Sequence, residues 1–374
     1  MAGIYIHIPF CKKRCHYCDF HKSLNLKDKD RMIKALVKEM ELENGFLESE
    51  QVETIYFGGG TPSVLDYDEI MIIFEGLYKN FKISKDTEIT FEANPDDLTK
   101  QYLMELVKTG INRLSIGLQS FSDQELKLLN RRHQSKTGIN AVYDSKNAGF
   151  ENISVDLMYG IPGMNIETWE NNLDIAFQME IKHISAYNLT IEPNTVFSRY
   201  IREGRIKMPE EDTVIEQLRV LIKKAGENKF IHYEISNFCQ DGFFSKHNTN
   251  YWKQVKYLGL GPSAHSYNKE IRRWNVADNK KYMDSIGKNK TPFEKEYLDS
   301  RKKYNEYILT SLRTMWGIDL KFLEESYSKE AMDYCLGLSK RFIDYGMVEK
   351  KKDNLILTDQ GKLIADNITS ELMM

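Results

Sequence analysis

Three cysteines near the amino terminus form the clearest chemical pattern in this sequence. Cys11, Cys15 and Cys18 follow the spacing C-x3-C-x2-C, directly after a short β-rich run at Ile4–Ile8. Thiolates are the usual ligands of iron–sulfur clusters, and closely spaced cysteines on one loop can hold three corners of a cubane. Three protein ligands leave one iron open to a small chelating molecule. The triplet therefore predicts a [4Fe–4S] cluster with one exchangeable corner.

A zinc site completed by His16 or His21 is the alternative interpretation of the triplet. Structural zinc loops usually present C-x2-C pairs on two separate knuckles, whereas the next cysteine of this chain is Cys239. The sequence has five cysteines in all, and their clustering is not typical of a disulfide framework. The spacing favours the cluster, and it leaves Cys239 and Cys335 as ordinary buried thiols.

Short β-rich runs alternate with amphipathic segments through the first two-thirds of the chain. The predicted strands are Ile4–Ile8, Val52–Phe57, Glu88–Glu92, Arg113–Gly117, Asn152–Met158 and His183–Leu189. The predicted helices are Arg31–Glu43, Asp68–Asn80, Thr99–Thr109, Gly138–Ala148 and Ile166–Gln178. Such repetition predicts an α/β fold built on a parallel sheet. Six units, with a further strand near Ile231–Ile235, fit a partial TIM-type (β/α)6 barrel, and a doubly wound open sheet is the alternative.

Polar residues and glycines stand at the ends of several predicted strands, where the chemistry of parallel barrels gathers. A glycine run, Gly58–Gly60, follows the second strand, Glu92 ends the third, Gln119 closes the fourth and Asp156 lies in the fifth. A polar side chain at such a place is costly to bury without a partner. One alone is as consistent with a structural hydrogen bond, but the set favours ligand contact. The amino and carboxylate groups of S-adenosylmethionine (SAM) are a suitable chelate for the open iron.

The strand–helix alternation stops near Gln240, and a mostly helical tail follows a stretch rich in Gly, aromatic residues and His. The tail ends in helix, strand, turn, strand and helix, as in a winged-helix module, at Leu336–Tyr345, Met347–Lys350, Asn354–Thr358 and Gln360–Ile368. The predicted division is a barrel over residues 1–235, a linking segment over 236–298 and a winged-helix-like domain over 299–374.

The composition narrows the class of protein. A net charge of −3 over 374 residues gives no general electrostatic case for nucleic-acid binding. No apolar run approaches the roughly 18 residues of a membrane span, and Met1–Tyr5 has neither the basic nor the apolar part of a secretory signal. We therefore expect a cytoplasmic protein without a nucleic-acid partner.

Three strings resemble the coproporphyrinogen dehydrogenase (HemN) superfamily of radical SAM proteins: Tyr5–Cys18, Gly58–Ser63 and Arg113–Phe121. The likeness covers essentially the whole chain and implies a [4Fe–4S] cluster on the three cysteines. It also implies SAM contacts at Tyr5, Tyr17, Gly59, Gly60, Thr61, Glu92, Gln119, Arg131 and Asp156. A guanidinium at Arg131 suits this role because it can hold a carboxylate with two hydrogen bonds. An ordinary exposed arginine beside Arg132 is the alternative.

Two departures distinguish the chain from the oxygen-independent coproporphyrinogen III oxidases of that superfamily. Those enzymes carry a long extension ahead of the cluster and a fourth cysteine in C-x3-C-x2-C-x-C, where this chain has Phe20. Both features resemble the HemW-type haem chaperones. His247–Trp252 likewise matches an H-N-x2-Y-W motif of that group and implies haem contact at His247. A lone histidine beside Tyr and Trp is more often a packed, hydrogen-bonded residue, and His265, His7, His16 and His21 are further candidates.

The resemblance implies a haem chaperone with three cofactors: a [4Fe–4S] cluster, SAM and haem. Such a protein would pass haem to an acceptor apoprotein, for example a membrane-associated haem enzyme of respiration, and a homodimer is among its expected states. The cluster and SAM would then serve docking, dimerisation or transfer. The competing expectation is an enzyme that decarboxylates coproporphyrinogen III oxidatively.

Overall fold

A twelve-stranded sheet organises most of the chain in the computed structural model, which describes residues 1–374. Its first strands are β1 (Ala2–Ile8), β2 (Val52–Gly59), β3 (Ile83–Ala93), β4 (Arg113–Gln119), β5 (Asn152–Tyr159) and β6 (His183–Asn188). They pair in parallel and in chain order. A doubly wound sheet reverses its strand order at a switch point, and this sheet does not. The barrel-type α/β prediction is therefore confirmed, and the doubly wound alternative is wrong.

Helices cover the outer face of these strands. They are α1 (Lys29–Leu42), α2 (Tyr67–Asn80), α3 (Lys100–Lys108), α4 (Asp123–Leu128), α5 (Ser135–Asn147), α6 (Ile166–Gln178), α7 (Val196–Arg202) and α8 (Glu211–Glu227). Asp66 and Glu69 form a capping box that fixes the start of α2, since each side chain accepts a hydrogen bond from the backbone N–H of the other residue. Outward strand residues and helix residues together form one apolar cluster that runs from Ala2 to Ile286.

The strand expected near Ile231–Ile235 forms, but it does not extend the parallel series. β7 (Ile231–Glu234) and β8 (Asn237–Cys239) pair antiparallel with each other, and β8 pairs antiparallel with β6. The connection between β7 and β8 is two residues long, which permits a hairpin but is too short for the crossover that parallel strands need.

A seventh parallel strand lies at the opposite side of the barrel and was not predicted. After α9 (Lys246–Trp252), β9 (Lys256–Leu260) pairs in parallel with β1. The sheet then continues antiparallel through β10 (His265–Tyr267), β11 (Ile271–Asn275) and β12 (Phe293–Tyr297), with α10 (Asn279–Ile286) between the last two. The segment 236–298, expected to link two domains and to carry the haem motif, contributes β8 to β12 to the same sheet.

The remaining residues form a second, smaller core. It consists of α11 (Ser300–Leu312), β13 (Ile318–Asp319), α12 (Leu320–Ser326), α13 (Lys329–Asp344), β14 (Val348–Lys351), β15 (Asn354–Leu357), α14 (Asp359–Lys362) and α15 (Ala365–Leu372). Their apolar residues from Tyr304 to Leu372 make a separate cluster, which lies wholly inside the predicted 299–374 segment. The order helix, strand, strand, helix is as predicted, except that the last helix is interrupted at Leu363–Ile364. None of the helices is both long and apolar enough to span a membrane.

A buried carboxylate on α1 ties the outer strands to the barrel. Glu39 accepts hydrogen bonds from the Gly261 backbone N–H at 2.7 Å, the Asn275 side-chain amide at 2.6 Å and the Tyr282 hydroxyl at 2.6 Å. Burial raises the pKa of Glu39 to about 7, an effect that these three donors oppose. The residues that follow β9 are therefore held to α1 by polar contacts as well as by apolar packing.

We expect Glu39→Ala to lower the free energy of unfolding by roughly 2–4 kcal/mol, because it leaves three buried donors without an acceptor. The midpoint and slope of urea unfolding measure this effect. Glu41→Ala is the matched control on the same helix, since Glu41 pairs with Lys38 and Lys79 at the surface. Equal effects of the two substitutions would contradict the assigned role of Glu39.

Candidate functional site

A cavity of about 400 Å³ opens where the parallel strands end. Most of the residues expected at the cofactor site line it: Cys11, Cys15, Tyr17, Cys18, Gly59, Gly60, Thr61, Glu92, Gln119, Arg131 and Asp156. Its wall also contains residues that the sequence analysis did not select: Lys13, Phe20, Lys22, Ala93, Asn94, Ser115, Gly117, Met158 and Tyr187. Tyr5 and His247 do not line it. Residues from five strands and the cysteine loop thus meet in one space.

The cysteine loop is held by backbone contacts on both sides. The Cys11 N–H donates to the Ser23 carbonyl at 2.9 Å, and the Ser23 N–H donates to the Pro9 carbonyl at 2.8 Å. The Gly60 N–H donates to the Ile8 carbonyl at 2.9 Å. A Cβ atom on Gly60 would lie 2.6 Å from the Phe10 carbonyl oxygen, so only glycine fits there. The glycine run therefore lets the second strand approach the backbone from which the cysteines start.

Each of the three sulfurs has one hydrogen-bond donor. The Thr61 hydroxyl lies 3.3 Å from Cys11 Sγ, Arg131 Nη1 lies 3.4 Å from Cys15 Sγ and Lys22 Nζ lies 3.0 Å from Cys18 Sγ. No group of three or more His, Cys, Asp or Glu side chains converges on a point where it could hold a single metal ion. The sulfurs instead border a cavity, as the corner ligands of a larger cluster do. The donor set and the space fit a [4Fe–4S] cluster.

The two histidines of the zinc alternative are engaged elsewhere. His16 Nδ1 donates to the Leu128 carbonyl at 2.9 Å, and His21 Nε2 donates to Asn279 Oδ1 at 2.6 Å. Neither residue lines the cavity. In this arrangement neither histidine is placed to act as a fourth ligand for a zinc ion at the triplet.

Arg131 is fixed in the cavity wall and is not the exposed surface arginine of the alternative interpretation. Its Nη2 donates to Asn94 Oδ1 and to the Gly117 carbonyl, both at 2.6 Å. Its Nε is buried and has no partner. Because a buried unpaired donor is costly, this atom is suited to an acceptor supplied by a bound ligand.

Two half-buried carboxylates belong to the strands of the same cavity. Glu92 accepts a hydrogen bond from the Tyr56 hydroxyl at 2.8 Å, and Asp156 accepts one from Ser115 Oγ at 3.1 Å. Burial raises the pKa of Glu92 to about 7, and the charge of Asp156 adds to this shift. Burial also raises the pKa of Asp156 to about 6, an effect that Ser115 and Arg113 oppose. The cavity therefore has two carboxyl groups with raised pKa values, whose ionised forms a bound cation would stabilise.

Gln119 reaches the cavity through an irregularity at the end of β4. The pairing with β5 shifts between Gly117 and Gln119, so that Leu118 has no partner. Gln119 itself has a φ of 69°, in the left-handed region that a residue with a Cβ seldom adopts. Strained positions of this kind often occur where a side chain is aimed at a ligand.

Tyr5, expected to contact SAM, does not line the cavity and instead bonds His7. Its hydroxyl lies 3.3 Å from His7 Nδ1, while His7 Nε2 lies 3.0 Å from the His21 carbonyl. A carbonyl only accepts, so Nε2 carries the hydrogen and the Tyr5 hydroxyl donates to Nδ1. Since His21 belongs to the cysteine loop, this chain of contacts links β1 to that loop.

His247 is buried at the start of α9, away from the cysteine cavity. Its Nδ1 lies 2.9 Å from Thr54 Oγ1 and its Nε2 lies 2.8 Å from the Tyr251 hydroxyl. Both ring nitrogens are therefore occupied, and haem ligation by His247 requires one of these hydrogen bonds to open. His265 is exposed at β10.

Asn94 and Lys22 are the cavity residues with the clearest roles that sequence reasoning missed. Asn94 orients the guanidinium of Arg131 and also donates to Thr61 Oγ1 at 3.3 Å. Its position just beyond the end of β3 was the available signal, because polar residues at strand ends mark such sites. Nothing in the local pattern indicated that the Lys22 side chain folds back on Cys18.

Comparisons with known proteins agree with this geometry. Residues 5–176 match the radical SAM superfamily, and residues 298–364 match the HemN C-terminal domain. The protein named heme chaperone HemW of Bacillus subtilis (strain 168) is 33% identical over 371 residues, which are 98% of each chain. The protein of that name from Buchnera aphidicola subsp. Acyrthosiphon pisum is 37% identical over 343 residues, 88% of this chain and 87% of the relative.

A solved structure has the same architecture. The coproporphyrinogen III oxidase (HemN) from Escherichia coli superposes with a TM-score of 0.87 at 22% identity, and the match covers 100% of this chain and 90% of that chain. At this level of identity the comparison supports the fold alone.

The fold and the three-cysteine cavity place the chain in the radical SAM superfamily. Its full-length relatives define the group more narrowly: the chain belongs to the family of the HemW haem chaperones. The predicted resemblance to that family is thereby confirmed.

We expect Gly60→Ala to lose most of its bound iron after anaerobic reconstitution. The added methyl group meets the Phe10 and Ile8 carbonyl oxygens at 2.6 and 2.7 Å, so the cysteine loop must move. Gly45→Ala is the control because its Cβ would meet nothing within 4 Å. Iron per chain measures the effect, and retention of wild-type iron by Gly60→Ala would show that the close approach is dispensable.

Proposed function

We propose that this protein is a haem chaperone that holds a [4Fe–4S] cluster on Cys11, Cys15 and Cys18, binds SAM in the adjoining cavity, and transfers haem to an acceptor apoprotein. One observation supports the cofactor part of the proposal. Three free cysteines, each with its own hydrogen-bond donor, border the same cavity as the Arg131 guanidinium and the carboxylates of Glu92 and Asp156. The haem part is supported by kinship with relatives that are named heme chaperones.

The charges of the cavity suit the two ends of SAM. The buried guanidinium of Arg131, with its unpartnered Nε, is suited to the methionine carboxylate. The carboxylates of Glu92 and Asp156 are suited to the ammonium, sulfonium or ribose hydroxyl groups. Gly59 and Gly60 also line this cavity, while their missing Cβ atoms leave room for the His7 ring and for the backbone of Ile8 and Phe10. When bound, the cluster supplies an electron and SAM supplies a reducible sulfonium, while the protein positions both.

The affinity for SAM is expected to fall about tenfold between about pH 8 and about pH 5.5, since one lost charge–charge contact is worth ~1.4 kcal/mol. Above its pKa of about 7 Glu92 is ionised and attracts a cation, and below that value it becomes neutral; Asp156 follows near 6. Calorimetric titration of the reconstituted protein measures this dependence. Glu92→Gln should bind more weakly at high pH and show a flatter profile. A wild-type affinity that is constant over this range would contradict the role of the carboxylates.

Haem contact at the His247–Trp252 motif is part of the proposal, and the geometry defines how to test it. Tyr251→Phe removes the hydroxyl that occupies Nε2 without removing the ring. If His247 ligates haem through Nε2, Tyr251→Phe should bind haem at least as tightly as the wild type, and His247→Ala should lose the ligand-dependent Soret shift.

Stability must be followed in the same variants. His247→Ala leaves Thr54 and Tyr251 without a partner and is expected to cost roughly 2–4 kcal/mol. Haem titrations are therefore compared only under conditions where circular dichroism shows both variants to be folded. An unchanged Soret spectrum in folded His247→Ala would exclude His247 as the ligand.

A single anaerobic assay distinguishes a haem chaperone from an enzyme that decarboxylates coproporphyrinogen III. The reduced, reconstituted protein is incubated with SAM and coproporphyrinogen III, alongside a coproporphyrinogen III oxidase as positive control. We expect haem binding in a parallel titration and no protoporphyrinogen. Formation of protoporphyrinogen would overturn the chaperone assignment in favour of the decarboxylating enzyme.

The loop after Cys18 is the local reason to favour the chaperone. Phe20 is 69% exposed at the cavity mouth and offers no fourth thiolate to the loop. The acceptor, its association with a membrane and a homodimeric state remain proposals that rest on the family resemblance. Size-exclusion chromatography of the reconstituted protein, with and without SAM, tests the last of these.

A further inference from the structure

Lys22 is not a solvated surface lysine but part of the cysteine loop. All three hydrogens of its ammonium group have an acceptor within that loop: the Cys18 carbonyl at 2.8 Å, Cys18 Sγ at 3.0 Å and the Phe20 carbonyl at 3.1 Å. The side chain also lines the cavity. Its charge is therefore fixed beside one sulfur. Fixing a lysine side chain costs conformational entropy that a solvated lysine keeps, so these contacts must offset that cost.

The contact with Cys18 differs from the other two sulfur contacts. The donor to Cys11 is the neutral hydroxyl of Thr61, and Arg131 shares its charge with Asn94 and the Gly117 carbonyl. Lys22 contacts only the loop itself, and none of its contacts is with a carboxylate. All of the hydrogen bonds of Lys22 are thus made within the cysteine loop, whereas Arg131 bonds the cavity wall and keeps a buried Nε without a partner.

Reduction of a cluster makes this position electrostatically important. Three thiolates already outweigh the positive charge of an oxidised [4Fe–4S] core, and reduction adds a further negative charge. A cation in contact with a sulfur stabilises the more negative state, and partial burial limits its screening by salt. Hydrogen bonds to the sulfurs act in the same direction.

We propose that Lys22 is the electrostatic partner of Cys18 that raises the reduction potential of the cluster, so that a lysine within the loop tunes its redox state. This inference rests on the cluster of the proposed function and adds a role for a residue outside the cysteine triplet. It makes the reduced cluster easier to reach and, for the same reason, a weaker reductant.

The test is an EPR-monitored redox titration of the reconstituted full-length protein without SAM. Lys22→Met should have a more negative midpoint potential than the wild type, and Lys22→Arg should lie near the wild type because it keeps a charged donor. Lys13→Met is the matched control. Lys13 lines the same cavity, but its Nζ donates to the Arg131 carbonyl at 3.3 Å and contacts no sulfur.

Iron and sulfide content distinguish a failure of this proposal from a failure of the proposed function on which it rests. A wild-type protein that binds no cluster refutes the proposed function, whatever Lys22 does. With the cluster present, a midpoint of Lys22→Met equal to that of the wild type, or shifted no further than that of Lys13→Met, overturns the role of Lys22.

If Lys22→Met does not retain the cluster, Lys22→Gln is measured in its place. Its side-chain amide keeps an N–H donor but carries no charge. A negative shift in Lys22→Gln supports the electrostatic role. If neither the Met nor the Gln variant holds iron while Lys22→Arg does, the lysine is required to assemble the cluster, and the proposal that it tunes the potential is wrong.

Discussion

The close approach of Gly60 to the backbone of residues 8–10 is the constraint on which the rest of the site depends. The Gly60 N–H bonds the Ile8 carbonyl, and the missing Cβ leaves space that any other residue would fill. Because β1 ends there, this contact sets where the cysteine loop leaves the barrel. Thr61, the next residue, then reaches Cys11 Sγ. One backbone contact thus places both a ligand loop and a donor to its first sulfur.

The interior of the barrel is polar around this site. Hydrogen bonds between inward-facing side chains run across its strands, from Tyr56 to Glu92 and from Ser115 to Asp156. The alternate residues of the same strands are apolar and pack on the helices. The apolar outer shell therefore provides the stability, while the interior retains charged groups with raised pKa values that a bound ligand can stabilise.

The parts that sequence reasoning predicted well are those with a strong local signal. The six parallel strands were visible as apolar runs. Cys11 was visible shortly after the first strand, and Glu92 and Asp156 as polar residues within the third and fifth strands. β9 was missed because it is only five residues long and Gly259 interrupts its apolar pattern. The glycine is needed there because a Cβ atom would collide with the His265 carbonyl. The Lys22–Cys18 contact and the burial of His247 depend on how the chain folds back on itself. Lys22 is four residues after Cys18, as Tyr251 is after His247, but outside a predicted helix this spacing does not indicate a contact.

The cluster on the three cysteines is the central claim, and single Cys→Ser substitutions test it most directly. Iron, acid-labile sulfide and the visible spectrum should be measured after anaerobic reconstitution of five variants. We predict about four irons and four sulfides per chain in the wild type, retained in Cys239→Ser and Cys335→Ser and lost in Cys11→Ser, Cys15→Ser and Cys18→Ser. Stoichiometric zinc without sulfide in the wild type, or a full cluster in all three loop variants, would contradict the account.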